Sequence, residues 1–394
     1  MTLSSDFNAL ASEKWNSTLQ GNYGTPAISL VKGEGALIWD ANGTRYIDML
    51  GGIATTILGH SHPDISAAVS KQITELGHVS NFFSHPQVLE LASRLQEMVG
   101  DSSARTFFCN SGAEANEAAF KLSRLTGRTK VVATDGSFHG RTMGALSLTG
   151  QPAKRDPFKP LIKGVKHVPF GDIKALKKAI NKKTAMFIVE PMQGENGVVV
   201  PPLGYLRAAR EITQDVGAMF VIDAVQTGMG RTGIWFGYEH EGITPDVITL
   251  AKGLGGGIPL GATIALGKYA QLFTPGTHGS TFGGSPVACA AANATIDFMV
   301  RENILERNIE SGKYLKNALS TIGLVEHVRG EGLLIGAVLK NPVAKKLAVD
   351  LLAAGVIVNA ANESVIRIAP PMVITRALLE EFISIFTKVC ATNE

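Results

Sequence analysis

Five short runs set the limits on this chain: RTFFC from Arg105, KVVATD from Lys130, AMFIVE ending at Glu190, AMFVID ending at Asp223 and DVITLA from Asp246. Each is apolar at nearly every position, the pattern of a strand covered on both faces. Between them lie amphipathic stretches, SGAEANEAAFKLSRL and GYLRAAREITQDVG, whose apolar residues return at helical spacing. Alternation of this kind predicts an α/β fold, a mostly parallel sheet flanked by helices, over one large domain at 51–284. Beyond Gly284 the pattern changes to long helices (PVACAAANATIDFMVREN, ILERNIESGKYLKNAL) and to short strands around VIVN and VIRIA. A smaller α+β domain is expected there, at 285–394, joined by a loop-rich segment at 1–50.

The bulk properties remove several function classes. A chain of 394 residues, 45% hydrophobic and 18% charged, can bury two or three cores. Its net charge is only +3 with no run of five like charges, so neither nucleic acid nor an acidic membrane is an expected partner. Cys109, Cys289 and Cys390 are far apart, with no CxxC or Cys/His cluster, which predicts reduced structural thiols and no metal site. The opening MTLSSDF has no basic stretch leading into an apolar one, and no segment reaches membrane-spanning length. A cytoplasmic protein is the expectation.

Ligands in doubly wound sheets sit beyond the carboxyl ends of the strands, which singles out the polar residues closing apolar runs: Glu190, Asp223 and Lys252. A half-buried carboxylate such as Asp223 needs a cation or strong donor facing it. Residue type alone also allows a turn or helix-cap aspartate. Lys252 lies between an apolar strand and the glycines of KGLGGGIP. Desolvation there lowers a lysine's pKa and makes it a better imine-forming amine. In FFCNSGAEANEAAF, the backbone N–H groups at Ser111, Gly112 and Ala113 would open a helix and suit a phosphate. Ser111 and Glu114 also match a capping box, so one loop can serve both purposes. GMGRTG at 228–233 fits GxGxxG, with Asp246 beyond it, but the following IWFGYEHEG is a poor helix start, so a nicotinamide site is rejected.

Taken in order, FFCNSGAEAN, FHGRT, VEPMQGE, IDAVQTGMGRTG, LAKGLGGGIP and HGSTFGGSP resemble the class III (fold-type I) aminotransferases, the acetylornithine aminotransferases most closely. The resemblance spans NYGTP near residue 22 to VIRIAPPMVIT near 366, and it implies pyridoxal 5'-phosphate as cofactor. It makes Lys252 the Schiff-base lysine and Asp223 the partner of the pyridine nitrogen. Gln226 becomes a donor to the ring's phenolic oxygen, with Phe138 and Val225 on the two ring faces. Ser111, Gly112 and Ala113 become the phosphate cradle, and Thr281 reaches the phosphate of the neighbouring subunit in a homodimer with a shared active site.

For substrates, the resemblance implies that Arg141 takes the far carboxylate of an ω-amino donor and the side-chain carboxylate of glutamate, and that Arg367 takes glutamate's α-carboxylate. It implies that Glu195 covers Arg367 while an ω-amino substrate is bound, and that Tyr23 of NYGTP touches substrate. The implied reaction moves the ω-amino group of N2-acetylornithine to 2-oxoglutarate. Ornithine, 4-aminobutyrate and succinyldiaminopimelate are alternative donors that the motifs do not separate. The family's usual glutamate between Asp223 and Val225 is replaced by Ala224, which strand alternation should turn away from the cofactor.

Overall fold

The structure, a computed structural model, describes residues 6–393. Residues 1–5, most of the segment considered as a leader, lie outside the described residues. The first fifty residues are more regular than expected. Asp6 caps a helix at Phe7–Thr18, its carboxylate accepting from the Asn8 and Ala9 N–H groups. Three antiparallel strands follow, β1 (Leu30–Glu34), β2 (Leu37–Asp40) and β3 (Arg45–Asp48). They are short, and β1 is mostly exposed, so its polar residues give no periodic signal.

The central sheet comprises β4 (Arg105–Cys109), β5 (Lys130–Thr134), β6 (Val165–Val168), β7 (Thr184–Val189), β8 (Met219–Asp223), β9 (Val247–Leu250) and β10 (Gly261–Ala265). Their order is β4-β10-β9-β8-β7-β5-β6. All neighbours from β9 to β6 are parallel, whereas β10 runs antiparallel to both β9 and β4. Every residue of β7 and β8 is buried, as their unbroken apolar runs require. Strand β10, GATIA, carries too little bulk to stand out in sequence. Its first residue must be small, because a Cβ on Gly261 would fall 2.5 Å from the Ser111 carbonyl oxygen. That close approach seats β10 under the turn that opens the helix Gly112–Arg124.

The C-terminal part holds β11 (Val325–Glu331), β12 (Leu334–Leu339), β13 (Val356–Ile357), β14 (Asn359–Asn362) and β15 (Val365–Ile368). A sheet of order β11-β12-β15-β14 forms, while β13 leaves it to pair in parallel with β3. The helix Ile304–Leu319 packs on β11 and β12, with Arg376–Ala391 against it, while Pro286–Arg301 packs on the helices Pro63–Glu75 and Pro86–Val99. The largest apolar cluster runs through both parts, with Leu58, Phe220, Ile335 and Phe382 all members, and a second, including Phe120, Met186 and Val221, covers the other side of the central sheet.

The GMGRTG segment is a loop followed by a 3-10 turn at Gly237–Glu241, with no helix to receive a pyrophosphate. Arg231 in it is 1% exposed and donates to the carbonyls of Leu333 and Pro370, at 3.2 and 2.6 Å. The motif therefore ties the large sheet to the C-terminal part. Asp246 accepts from the Phe220 N–H and pairs with Arg210, a structural pattern as well.

The three cysteines are buried and none is in a disulfide. Burial pushes the Cys109 and Cys289 thiols up to about 12, so they behave as inert packing groups. Among the described residues no helix is long and apolar enough to cross a membrane.

Candidate active site

A cavity of about 370 Å³ opens where β4, β7, β8 and β9 end. Eleven of the residues singled out from sequence line it: Ser111, Gly112, Ala113, Phe138, Arg141, Glu190, Glu195, Asp223, Val225, Gln226 and Lys252. Arg367 lies against this group through hydrogen bonds to Glu195 and Gln226. Thr281 lines an adjoining cavity of about 440 Å³ that shares Asn110 with the first. Tyr23 is apart from both and 72% exposed.

Asp223 is 3% exposed at the end of β8. Its Oδ2 faces His139 Nδ1 at 2.6 Å and accepts from Asn116 Nδ2 at 2.8 Å, while Oδ1 accepts from the Val225 N–H at 3.0 Å. The Val225 bond is the turn contact allowed from residue type, so the bland and the functional readings coexist. Asn116 is fixed in turn, donating to the His139 carbonyl and accepting from Thr249 on β9. Sequence reasoning did not find His139, Asn116 or Thr249 as partners. His139 stood inside FHGRT, but its distance of 84 residues from Asp223 hid the pairing.

Lys252 follows β9 with φ of 45°, in the left-handed region that non-glycine residues seldom enter. Its Nζ has no hydrogen-bond partner among the described residues. Burial pushes the ammonium down to about 8; the Glu195 charge works against this and the Arg367 charge adds to it. An amine of this kind is partly in its nucleophilic, unprotonated form near neutral pH.

Ser111 caps the helix Gly112–Arg124, its hydroxyl accepting from the Glu114 N–H at 3.2 Å. The Glu114 carboxylate reaches past Ser111 to the Asn110 N–H, so only half of the capping box forms. First-turn N–H groups have no partner within a helix, and here they face the cavity with the positive end of the dipole. Gly112 is required: a Cβ there would fall 2.8 Å from Val225 Cγ1. Its absence lets the turn and the Val225 side chain share one wall.

Glu190, the third strand-closing residue, is buried and accepts from the Phe138 N–H at 2.9 Å. Burial and then the Asp223 charge raise its pKa, favouring the neutral carboxyl. Phe138 is thereby held on the cavity wall by the strand it faces. Ala224 is buried in the apolar cluster and does not line the cavity, as alternation along β8 requires.

The arginines differ in state. Arg367, 2% exposed on β15, donates to Glu195 at 2.5 Å, Asn359 at 2.9 Å and Gln226 Oε1 at 3.3 Å. With Oε1 taken, Gln226 is left with its Nε2 donor. Burial, the largest influence on Glu195, would raise its pKa, but Arg367, Lys252 and Lys154 together outweigh it and hold it low. Arg141 is exposed to the cavity, 5.6 Å above the Phe138 ring, with no carboxylate partner among the described residues.

The cavity thus offers an amine without a partner, a buried acid, an N-terminal helix turn and two guanidiniums, one covered and one open. Residues 19–390 match the family model for class-III aminotransferases. The chain is 53% identical over 387 residues to an acetylornithine aminotransferase of Mycobacterium tuberculosis, covering 98% of this chain and 97% of the relative. It is 54% identical over 379 residues to that of Streptomyces coelicolor, covering 95% and 94%. A solved ornithine aminotransferase from Toxoplasma gondii, with partial occupancy of PLP at its active site, superposes with a TM-score of 0.92 at 30% identity, covering 96% and 93%.

Proposed function

The chain belongs to the class-III aminotransferases, and on that premise we propose that it moves the ω-amino group of N2-acetylornithine to 2-oxoglutarate. The products are N-acetylglutamate 5-semialdehyde and glutamate, which makes the reaction a step of arginine biosynthesis in the cytoplasm. The observation that carries the substrate reading is the asymmetry of the arginines. Arg141 is open to a carboxylate while Arg367 is covered by Glu195, the arrangement an ω-amino donor with one distal carboxylate group needs. Near-full-length identity to relatives named for this activity supports the same donor.

The cofactor is pyridoxal 5'-phosphate, which when bound supplies an aldehyde for the substrate amine and a ring that accepts electron density. The residues present fit it. The Lys252 amine lacks any competing hydrogen bond and is positioned to hold the aldehyde carbon and then move a proton at the substrate carbon. Asp223 would keep the ring nitrogen protonated, and the Ser111–Ala113 turn would take the phosphate. Phe138 and Val225 would flank the ring, and Gln226 Nε2 would be the donor for its phenolic oxygen. Arg367 pairs bidentately with the α-carboxylate of glutamate once Glu195 has moved aside.

A homodimer completes the reading. Thr281 lies outside the single-chain cavity, and Phe82 and Phe282 beside this face are 92% and 61% exposed, a surface suited to a second subunit that receives Thr281 at its phosphate. Tyr23 is exposed and lies outside both cavities.

The donor assignment is tested by half-reactions with N-acetylornithine, ornithine, 4-aminobutyrate and succinyldiaminopimelate. N-acetylornithine should have the highest kcat/KM; a tenfold preference for ornithine would overturn the assignment. Glu195→Gln removes the charge that competes for Arg367. Because a buried charge pair is worth several kcal/mol when one partner is lost, the ratio of glutamate to N-acetylornithine activity should rise about 10–100-fold. An unchanged ratio would mean Glu195 does not act as a cover.

The amine also predicts a pH profile. Below about 8 the Lys252 ammonium must lose a proton before it can react, so recapture of pyridoxal phosphate by the stripped enzyme should accelerate with pH and level off above that value. Stopped-flow absorbance across pH 6–10 follows it, with the sign opposite to that expected if a carboxylate had to be protonated.

A further inference from the structure

Glu195 has two cations within ion-pair distance. Its Oε1 bonds Arg367 Nη1 at 2.5 Å, and its Oε2 lies 4.0 Å from Lys154 Nζ. The mechanism above uses only the first. Lys154 lies in the short helical turn Pro152–Arg155, where its Nζ donates to Gln151 Oε1 at 2.5 Å and sits 4.9 Å over the Phe138 ring. Three contacts thus hold the ammonium on the flank of Glu195 away from Arg367.

We propose that Lys154 is the resting partner of Glu195 when a substrate α-carboxylate displaces it from Arg367, and so a specificity-determining residue of the glutamate half-reaction. The inference rests on the reading of Glu195 as a movable cover. A carboxylate leaving a buried guanidinium needs either water or another cation, and the side chain is only partly exposed. One carboxylate already spans both cations, so rotation of the side chain transfers it from one to the other without separating it from positive charge. The Phe138 ring face stabilises the ammonium in place, at a site where Arg141 stands over the same ring. Part of the energy that opens Arg367 therefore comes from Lys154.

Without that cation, Glu195 stays on Arg367 and competes with any α-carboxylate. Lys154→Gln should raise KM for glutamate and 2-oxoglutarate about tenfold more than KM for N-acetylornithine, whose binding requires the cover closed. The maximal rates of the two half-reactions should change in parallel. Lys154→Arg, which keeps the charge and its cation–π contact, should restore the ratio to within about threefold. In a Glu195→Gln background the Lys154→Gln change should have no further effect on the ratio, since no charge remains to be received.

The outcomes separate the two ideas. If Glu195→Gln shifts the substrate ratio but Lys154→Gln does not, the cover stands and the role of Lys154 is overturned. If neither shifts it, the cover itself fails and the inference with it. A Lys154→Gln effect of equal size on both substrates, or one that persists in the Glu195→Gln background, marks a structural role and overturns the proposal as well.

Discussion

Lys252→Ala should lower turnover at least about 10⁴-fold, because it removes both the group that holds the cofactor covalently and the proton carrier, and the latter alone is worth about 10²–10⁴. The purified variant should lose the visible absorption of the holoenzyme while still binding pyridoxal phosphate through the helix turn and Asp223. Collapse of the fold is not an explanation available for such a loss. The Nζ makes no hydrogen bond among the described residues, so its removal orphans nothing. The left-handed backbone at this position, φ 45°, penalises alanine no more than lysine. Circular dichroism and the thermal midpoint should therefore match the parent enzyme. A variant with kcat within tenfold of the parent would end the assignment of Lys252, whatever became of its colour.

How much of this was legible follows from what each signal depends on. The strands β7 and β8 were readable because burial on both faces demands an apolar residue at every position, and TAMFIV and MFVID satisfy it. Strand β10 was not, because its place against the Ser111 turn selects a glycine and small residues, which carry no strand signature. Its reversed direction is likewise invisible without the sheet. The three N-terminal strands are short and half exposed, and β3 is completed only by β13, some three hundred residues on.

In the site, residues that end strands could be inspected because topology puts them at the ligand edge; hence Asp223, Lys252 and Glu190. Their supports could not. The pairing of His139 with Asp223, of Asn116 with both, and of Lys154 with Glu195 are contacts across chain folds that no local pattern encodes. The decoy GMGRTG fits the same logic. Its glycines and Arg231 answer to a need for close packing and for a donor to carbonyls between two parts of the chain, so a motif can match while its context contradicts.

Asp223→Asn should lower the rate of both half-reactions by about 10²–10³, the scale seen when a preorganised electrostatic partner of the reacting group is removed. Asparagine keeps the shape, and with its carbonyl oxygen in the place of Oδ2 it can still accept from Asn116 and His139; only the Val225 N–H loses its acceptor while the negative charge is removed. The ring nitrogen then has no counter-charge to keep its proton, and electron density from the substrate carbon has nowhere favourable to go. Asp223→Ala is the poorer test. It leaves the Asn116 amide and the His139 Nδ1 without their acceptor in a buried place, at about 1–3 kcal/mol for each orphaned group, so stability and chemistry fall together. Single-turnover rates with N-acetylornithine and with glutamate check this, since the lost charge slows both half-reactions alike whereas a disturbed Arg367 shows with glutamate alone. His139→Gln, which retains a donor to Oδ2, should cost less than Asp223→Asn while moving in the same direction. Rates for Asp223→Asn within about threefold of the parent would show that the acid holds the loop through the Val225 N–H and does nothing for the chemistry.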